Sequence, residues 1–282
     1  MKFQYSILLL MFVFSQVLFS SIAKSSYQAI KTNNIKKVKS LIKRSNVNKL
    51  NEDKETIINY AIIKGNIKIV KHLIKLKAKL NIKSKVNYAF TIKNSKIINS
   101  IKITQDIGAN GDTPLLLAIK TQNLELVKLL VKNGADVNFE KPNTPLKIAI
   151  KENNIDIVKF LLKKGAKLDL VYDSWVTPLF LAIDNNNIDI FNLLIQNGEK
   201  INKKNLKRTS PLGYALLSIE KNKLSNERLK MIKYLISKKA KINDRALYYA
   251  TNSGSLKLVN LVISNGAKID LKKEVNGESL IN

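Results

Sequence analysis

A short pattern that returns about every 32 residues governs what this 282-residue chain can fold into. An alanine recurs at Ala29, Ala61, Ala89, Ala118, Ala149, Ala182, Ala215 and Ala250, at separations between 28 and 35 residues. Four and five residues later come small or polar residues: Asn33-Asn34, Gly65-Asn66, Lys93-Asn94, Gln122-Asn123, Asn153-Asn154, Asn186-Asn187 and Gly254-Ser255. Glycine and asparagine tolerate a left-handed backbone, so this place suits a tight reversal between two helices. Nine residues after the alanine stands Val38, Val70, Ile98, Val127, Val158, Phe191 or Val259. An apolar pair follows in six repeats, as in Leu73-Ile74, Leu130-Val131 and Leu161-Leu162. The i, i+3, i+4 spacing places one apolar stripe on one face of a second helix. A single helix pair is too small to bury that stripe, but stacking pairs on each other buries it. The chain is therefore expected to build nearest-neighbour layers, with the alanines letting helices approach closely.

The first helix of the most regular repeats opens with Thr113-Pro114-Leu115, Thr144-Pro145-Leu146, Thr177-Pro178-Leu179 and Ser210-Pro211-Leu212. A hydroxyl caps the helix start and proline is tolerated in its first turn. The second helix closes in Asn133-Gly134-Ala135-Asp136-Val137-Asn138, with relatives at Gly165-Ala166 and Gly266-Ala267. T-P-L-x-x-A, the inter-helix Gly/Asn, V-x-x-L-L and G-A-D-V-N at a period near 33 together resemble the ankyrin repeat. The resemblance covers about residues 26–270. It implies an all-α fold, an ankyrin-repeat solenoid of about eight helix-turn-helix repeats. Where many such repeats carry histidine after T-P-L, this chain has Leu116, Lys147, Phe180 and Gly213.

Two irregularities stand out. In the seventh repeat Ile232 lies 17 residues after Ala215, which places some eight added residues between the helices, within Ile219–Lys230. At the other, Gly277-Glu278-Ser279-Leu280 looks like the opening of a further repeat, so residues 271–282 are expected to be a tail or an incomplete repeat. That tail, or a second chain, is expected to cover an apolar end surface to which Leu258, Leu261 and Val262 contribute.

Chemistry is narrowly bounded. There is no cysteine and a single histidine, His72. Disulfides, a thiolate nucleophile and a Cys/His zinc site are thereby excluded, and a metal site would need carboxylates alone. His72 falls inside the apolar stripe and reads as a packing residue. Gly108 to Thr113 resembles a phosphate loop only superficially, because it lacks the Gly-Lys-Ser/Thr ending. No enzyme activity and no cofactor are expected. The formal net charge of +28 has two readings: attraction to a polyanion, or the Lys/Asn/Ile bias of an A/T-rich genome.

The amino terminus reads as an export signal. Lys2 precedes an apolar run from Ile7 to Phe19, followed by Ser21 and Ala23 at the spacing of a small-residue cleavage site. The run is shorter than the roughly 20 residues of a membrane span. The organisation expected is a signal peptide at 1–23, the repeat domain at 24–270 and the tail at 271–282. A periplasmic or secreted location follows, with an uncleaved membrane anchor as the alternative.

The resemblance implies that partners are proteins, bound through the inter-repeat fingers and the concave face of the first helices. Carried onto this chain, the fingers supply Glu140, Lys141, Asn143, Tyr172, Asp173, Ser174, Trp175 and Lys207. The concave face supplies Lys120, Thr121, Lys151, Glu152, Asp184 and Asn185. Trp175 stands where such repeats usually carry a finger glycine, and its alternatives are a partner anchor or an aromatic packed on its neighbours. The mixed charge favours a protein partner, in a scaffold or a secreted effector, over nucleic acid or a small-molecule substrate. The alternative is a basic protein that binds a polyanion or the anionic surface of the envelope.

Overall fold

The recurrent hydroxyl-proline opening forms helix starts as its chemistry dictates. In a computed structural model, the side-chain oxygens of Thr113, Thr144 and Ser210 accept the amides of Leu116, Lys147 and Gly213 at 3.2–3.3 Å. Proline occupies the first turn of each of those helices. The structure describes residues 21–50, 55–83, 87–93, 96–104, 111–139, 143–168, 177–205, 208–242 and 245–267.

Two compact units are present, residues 1–139 and 140–282. The first contains helix α1 (residues 21–31), α2 (Ile35–Leu41), α3 (Ile57–Ile63) and α4 (Ile67–Lys75). Strands β1 (Asn87–Lys93) and β2 (Lys96–Thr104) follow, then α5 (Pro114–Lys120) and α6 (Leu124–Lys132). The second contains α7 (Pro145–Lys151), α8 (Ile155–Lys163), α9 (Pro178–Asp184), α10 (Ile188–Gln196), α11 (Pro211–Leu217), α12 (Asn226–Ser237), α13 (Ala246–Asn252) and α14 (Leu256–Ser264). First helices pack on first helices, α7 on α9 on α11 on α13, and second helices pack likewise, α8 on α10 on α12. This is the expected stack of helix-turn-helix repeats.

The two turn positions divide their work. The fourth residue after the alanine takes the left-handed backbone, with φ of 53° at Asn33, 56° at Asn153 and 52° at Asn186. The fifth, an asparagine, caps the second helix instead: Asn34, Asn123, Asn154 and Asn187 accept an amide three residues on at 2.9–3.1 Å. The amides of those asparagines donate back to the carbonyls of Ala29, Ala118, Ala149 and Ala182, closing the first helix. The anchoring alanines thus have a backbone role besides their small size, and those from Ala29 and Ala61 to Ala250 outside the third repeat are at most 1% exposed. Val38, Val70, Val127, Val158, Phe191 and Ile232 are fully buried beside them.

The third repeat departs from the expected helix pair. Ala89 lies in β1 and Ile98 in β2, paired antiparallel as a hairpin with an irregularity between Ala89 and Thr91. This segment lacks a T-P-L opening and the apolar pair, since Ile101 is followed by Lys102, and it is rich in β-branched residues. The stack closes without it. Helix α3 packs directly on α5. Asn81 donates to the Gly134 carbonyl at 3.2 Å and accepts the Asp136 amide at 3.0 Å. Between the first and second repeats, Asn48 does the same with the Lys77 carbonyl and the Lys79 amide. The fourth repeat therefore takes the place next to the second.

The seventh repeat carries its added residues as expected, divided between two places. Helix α12 has 12 residues where α10 has 9, and the linker before it runs from 218 to 225 where the fourth repeat uses 121 to 123. At the carboxyl end, Leu258 and Val262 are fully buried, whereas Leu256 is 73% exposed. Residues 268–282, and with them the expectation about the tail, lie outside the described residues.

Candidate functional site

The carboxyl ends of the first helices in the second unit form the best-defined exposed row. Lys151 ends α7, Asp184 ends α9 and Leu217 ends α11, all exposed and each two residues beyond its anchoring alanine. Packing of α9 between α7 and α11 makes them neighbours. Asn185 ties the row together, because its amide donates to the carbonyl of Ile150. Asp184 accepts the Tyr214 hydroxyl at 2.6 Å. Burial, and then this bond, push the Tyr214 hydroxyl up to about 12. The Tyr214 ring also packs on Phe180, 4.9 Å between centroids. Charge, amide, phenol and an apolar side chain thus stand side by side.

Beneath that row lies a buried cation. Arg228 is 8% exposed and comes from the lengthened part of α12. Its guanidinium donates to the Ile183 carbonyl at 2.6 Å, to the Ala215 carbonyl at 3.4 Å and to the Ser218 hydroxyl. These carbonyls belong to the last turns of α9 and α11, where backbone acceptors lack partners within the helix and the dipole favours a cation. In other repeats an asparagine reaches the corresponding carbonyl: Asn66 that of Ile30, Asn185 that of Ile150. The seventh repeat has Ile219-Glu220 at its turn, and Arg228 supplies the donor from elsewhere. Burial holds the guanidinium below its usual value, opposed by Asp184 and Tyr214.

In the first unit, Lys120 and Thr121 end α5, but neither is a loose surface group. Lys120 is paired with the buried Asp112 at 2.6 Å and its side chain is 22% exposed. Burial raises the Asp112 carboxyl, and the opposing pull of Lys120 does not restore it. Thr121 donates to the Ala118 carbonyl at 3.0 Å. Thr113, from the apparent phosphate loop, caps α5.

Of the remaining expected positions, Asn143 is exposed and Glu152 is half-buried. Glu140, Lys141, Tyr172, Asp173, Ser174, Trp175 and Lys207 lie outside the described residues. Leu217, Tyr214 and Arg228 were not anticipated. Leu217 was within reach of the sequence, since it occupies the same register as Lys151 and Asp184, whereas Arg228 lies in the added residues and has no register to follow. His72 sits half-buried in α4, its value lowered first by burial and then by Lys39, Lys43 and Lys75. Among the described residues no group of three or more His, Asp or Glu side chains is placed to hold a metal ion. Nor is any described helix long and apolar enough to cross a membrane.

A layered stack that presents one exposed row of mixed chemistry defines a class of repeat scaffold. Family models confirm which one: "Ankyrin repeats (many copies)" matches residues 26–74, and "Ankyrin repeats (3 copies)" matches 86–172, 141–205 and 179–273. The chain belongs to the ankyrin-repeat family. Ankyrin repeats generally mediate protein–protein interaction and are typically non-catalytic. A search of curated proteins finds no match.

Proposed function

We propose that this chain is an exported, non-catalytic module that binds a protein partner, serving as a scaffold or a secreted effector in the periplasm or beyond it. The observation that carries the binding reading is the exposed row Lys151, Asp184 and Leu217, braced by Asn185, Tyr214 and Arg228. Leu217, 50% exposed in one row with Lys151 and Asp184, is the kind of apolar group that a protein partner covers. The export reading rests on the sequence of residues 1–23, and the cut after Ala23 falls within α1.

A photoreactive amino acid placed at position 217 or 184 tests the site. In the native envelope fraction it should yield one discrete protein adduct, whereas the same probe at Lys159, on the exposed side of α8, should yield none. Equal labelling from all three positions would sink the assignment. For export, amino-terminal sequencing of native material should read Lys-Ser-Ser-Tyr from Lys24; intact Met1 in washed membranes would point to the anchor.

A further inference from the structure

The lysines are not spread evenly over the second helices. Helix α2 exposes Lys36, Lys37 and Lys39, helix α4 exposes Lys68, Lys71 and Lys75, and neither contains an acidic residue. Helices α6, α8 and α12 have two lysines each, but each also carries an acidic residue; α14 has one lysine, Lys257, and α10 has none. A genome-wide bias toward lysine codons acts on every repeat alike, so it does not account for this contrast.

Position within the helix sharpens the point. The second residue of α6, α8, α10 and α12 is acidic, Glu125, Asp156, Asp189 and Glu227. That is the end where the helix dipole favours a carboxylate. In α2 and α4 the same place holds Lys36 and Lys68, and in α14 Lys257, each with an unfavourable charge for its helix; only α2 and α4 add further exposed lysines to it. Helices α2 and α4 pack on each other, and the charges converge: Lys39 and Lys43 from the first repeat and Lys75 from the second all act on His72. Among the described residues only Lys71 of the six meets a carboxylate, Glu125 at 3.8 Å, both well exposed. Like charges so gathered repel one another, and an anionic surface removes that repulsion.

We propose that the exposed face of α2 and α4 docks on an anionic phospholipid surface. Lysine is a point charge suited to a diffuse layer of headgroups, and Arg44 is the one arginine next to this face. No exposed aromatic residue lies in α2 or α4 to stack a base, which sets the face apart from a single-strand nucleic-acid groove. The choice of lipid over nucleic acid rests on the export reading; the basic face itself does not, and it is separate from the row at Lys151, Asp184 and Leu217.

Vesicle co-sedimentation of the full chain tests this, comparing vesicles of about 30% phosphatidylglycerol in phosphatidylcholine with pure phosphatidylcholine. The apolar run contributes equally to both, so the ratio of affinities reads charge alone. A preference of about tenfold for the anionic vesicles is expected at low salt, vanishing near about 0.5 M salt. Changing Lys39, Lys43, Lys71 and Lys75 to Glu should bring the ratio close to one. Changing Lys159, Lys163, Lys230 and Lys238 to Glu alters net charge equally and should leave the preference nearly intact, with helical circular dichroism unchanged in both variants. Equal losses in the two variants would show net charge rather than this face. Duplex DNA that displaces the chain from vesicles at matched phosphate would assign the face to nucleic acid instead. Either result overturns the proposal, and neither affects cross-linking at position 217.

Discussion

Between the second and fourth repeats, the chain contributes a β-hairpin and the helices on either side meet without it; in the seventh repeat, added residues are drawn into the stack and replace a missing part. The seam between α3 and α5 repeats the Asn48 contact of the first and second repeats, with Asn81 across the second-helix ends, and adds the Asn59 amide on the Asp112 carbonyl at 3.4 Å. The seventh repeat instead loses the turn asparagine: Ser225 caps the second helix in its place, and Arg228 donates to the carbonyls at the first-helix ends. What the fold requires at a layer is thus a small residue for close approach and a donor for the exposed carbonyls. The number of residues between them is free.

If Arg228 is that donor, its removal should give the largest effect. Arg228→Met removes two buried charge-assisted hydrogen bonds, to the Ala215 carbonyl and to the Ile183 carbonyl, which keeps only the Asn186 amide; the loss should cost about 4 kcal/mol. Denaturant unfolding measures it, and amide exchange should quicken in α9 and α11. Wild-type stability in this variant would mean that the added residues do not supply the missing donor.

Next in size is the seam at Asp112. Lys120→Met takes the hydrogen-bonded partner from a buried carboxylate, leaving the weaker pull of Lys83, and should cost about 3 kcal/mol, tempered by the partial exposure of Lys120. Asp112→Asn should cost far less or stabilise, because burial already raises that carboxyl. The sign follows from the raised folded value: native Asp112 holds its proton more tightly than the unfolded chain does. Wild-type stability relative to Asp112→Asn should therefore fall as pH rises from the ordinary carboxylate value through the raised one, then level off. A rise over that window would contradict the burial argument.

The docking of the added linker on the eighth repeat is a smaller matter. The Asn222 backbone amide donates to the Ser253 carbonyl at 2.9 Å, and a Cβ at Gly254 would overlap the Asn222 side-chain oxygen. Gly254 also has φ of +70°, so Gly254→Ala should cost about 2 kcal/mol through contact and backbone together. Asn222→Ala brings a cost of its own, since Asn222 has φ of 62°, but in that background Gly254→Ala should cost roughly half as much. An undiminished cost would show that the linker does not rest there.

Much of this was legible in the residues. The period, the hydroxyl-proline caps, the alanines and the added residues in the seventh repeat all act locally, so their chemistry can be read position by position. The third repeat was misread because its alanine and spacing survive while the apolar pair does not; a pattern counted by its best-kept positions overlooks the one that buries area. Arg228 was hidden for a different reason. Its partners are 13 and 45 residues away, and nothing in the local sequence marks a cation as destined for two distant carbonyls. Lys120 shares the register of Lys151 and Asp184, and its pairing with the buried Asp112 was not legible because that residue precedes the helix.

The smallest expected effect is the most direct test of the comparison. If the second and fourth repeats are already neighbours, residues 84–110 can be replaced by a short Gly/Ser linker with little loss. Closing a loop grows costlier only slowly with length, about 0.6 kcal/mol per doubling, so the shorter connection should even favour the folded state slightly. An isolated two-stranded hairpin brings little stability of its own to set against that gain. Unfolding free energy should change by less than about 1 kcal/mol. The bonds from Asn81 to Gly134 and Asp136 should persist, so Asn81→Ala should weaken the shortened and the full chain equally, by about 1 kcal/mol. A shortened chain that no longer unfolds cooperatively would show that this segment belongs to the stack after all, and that α3 and α5 need it between them.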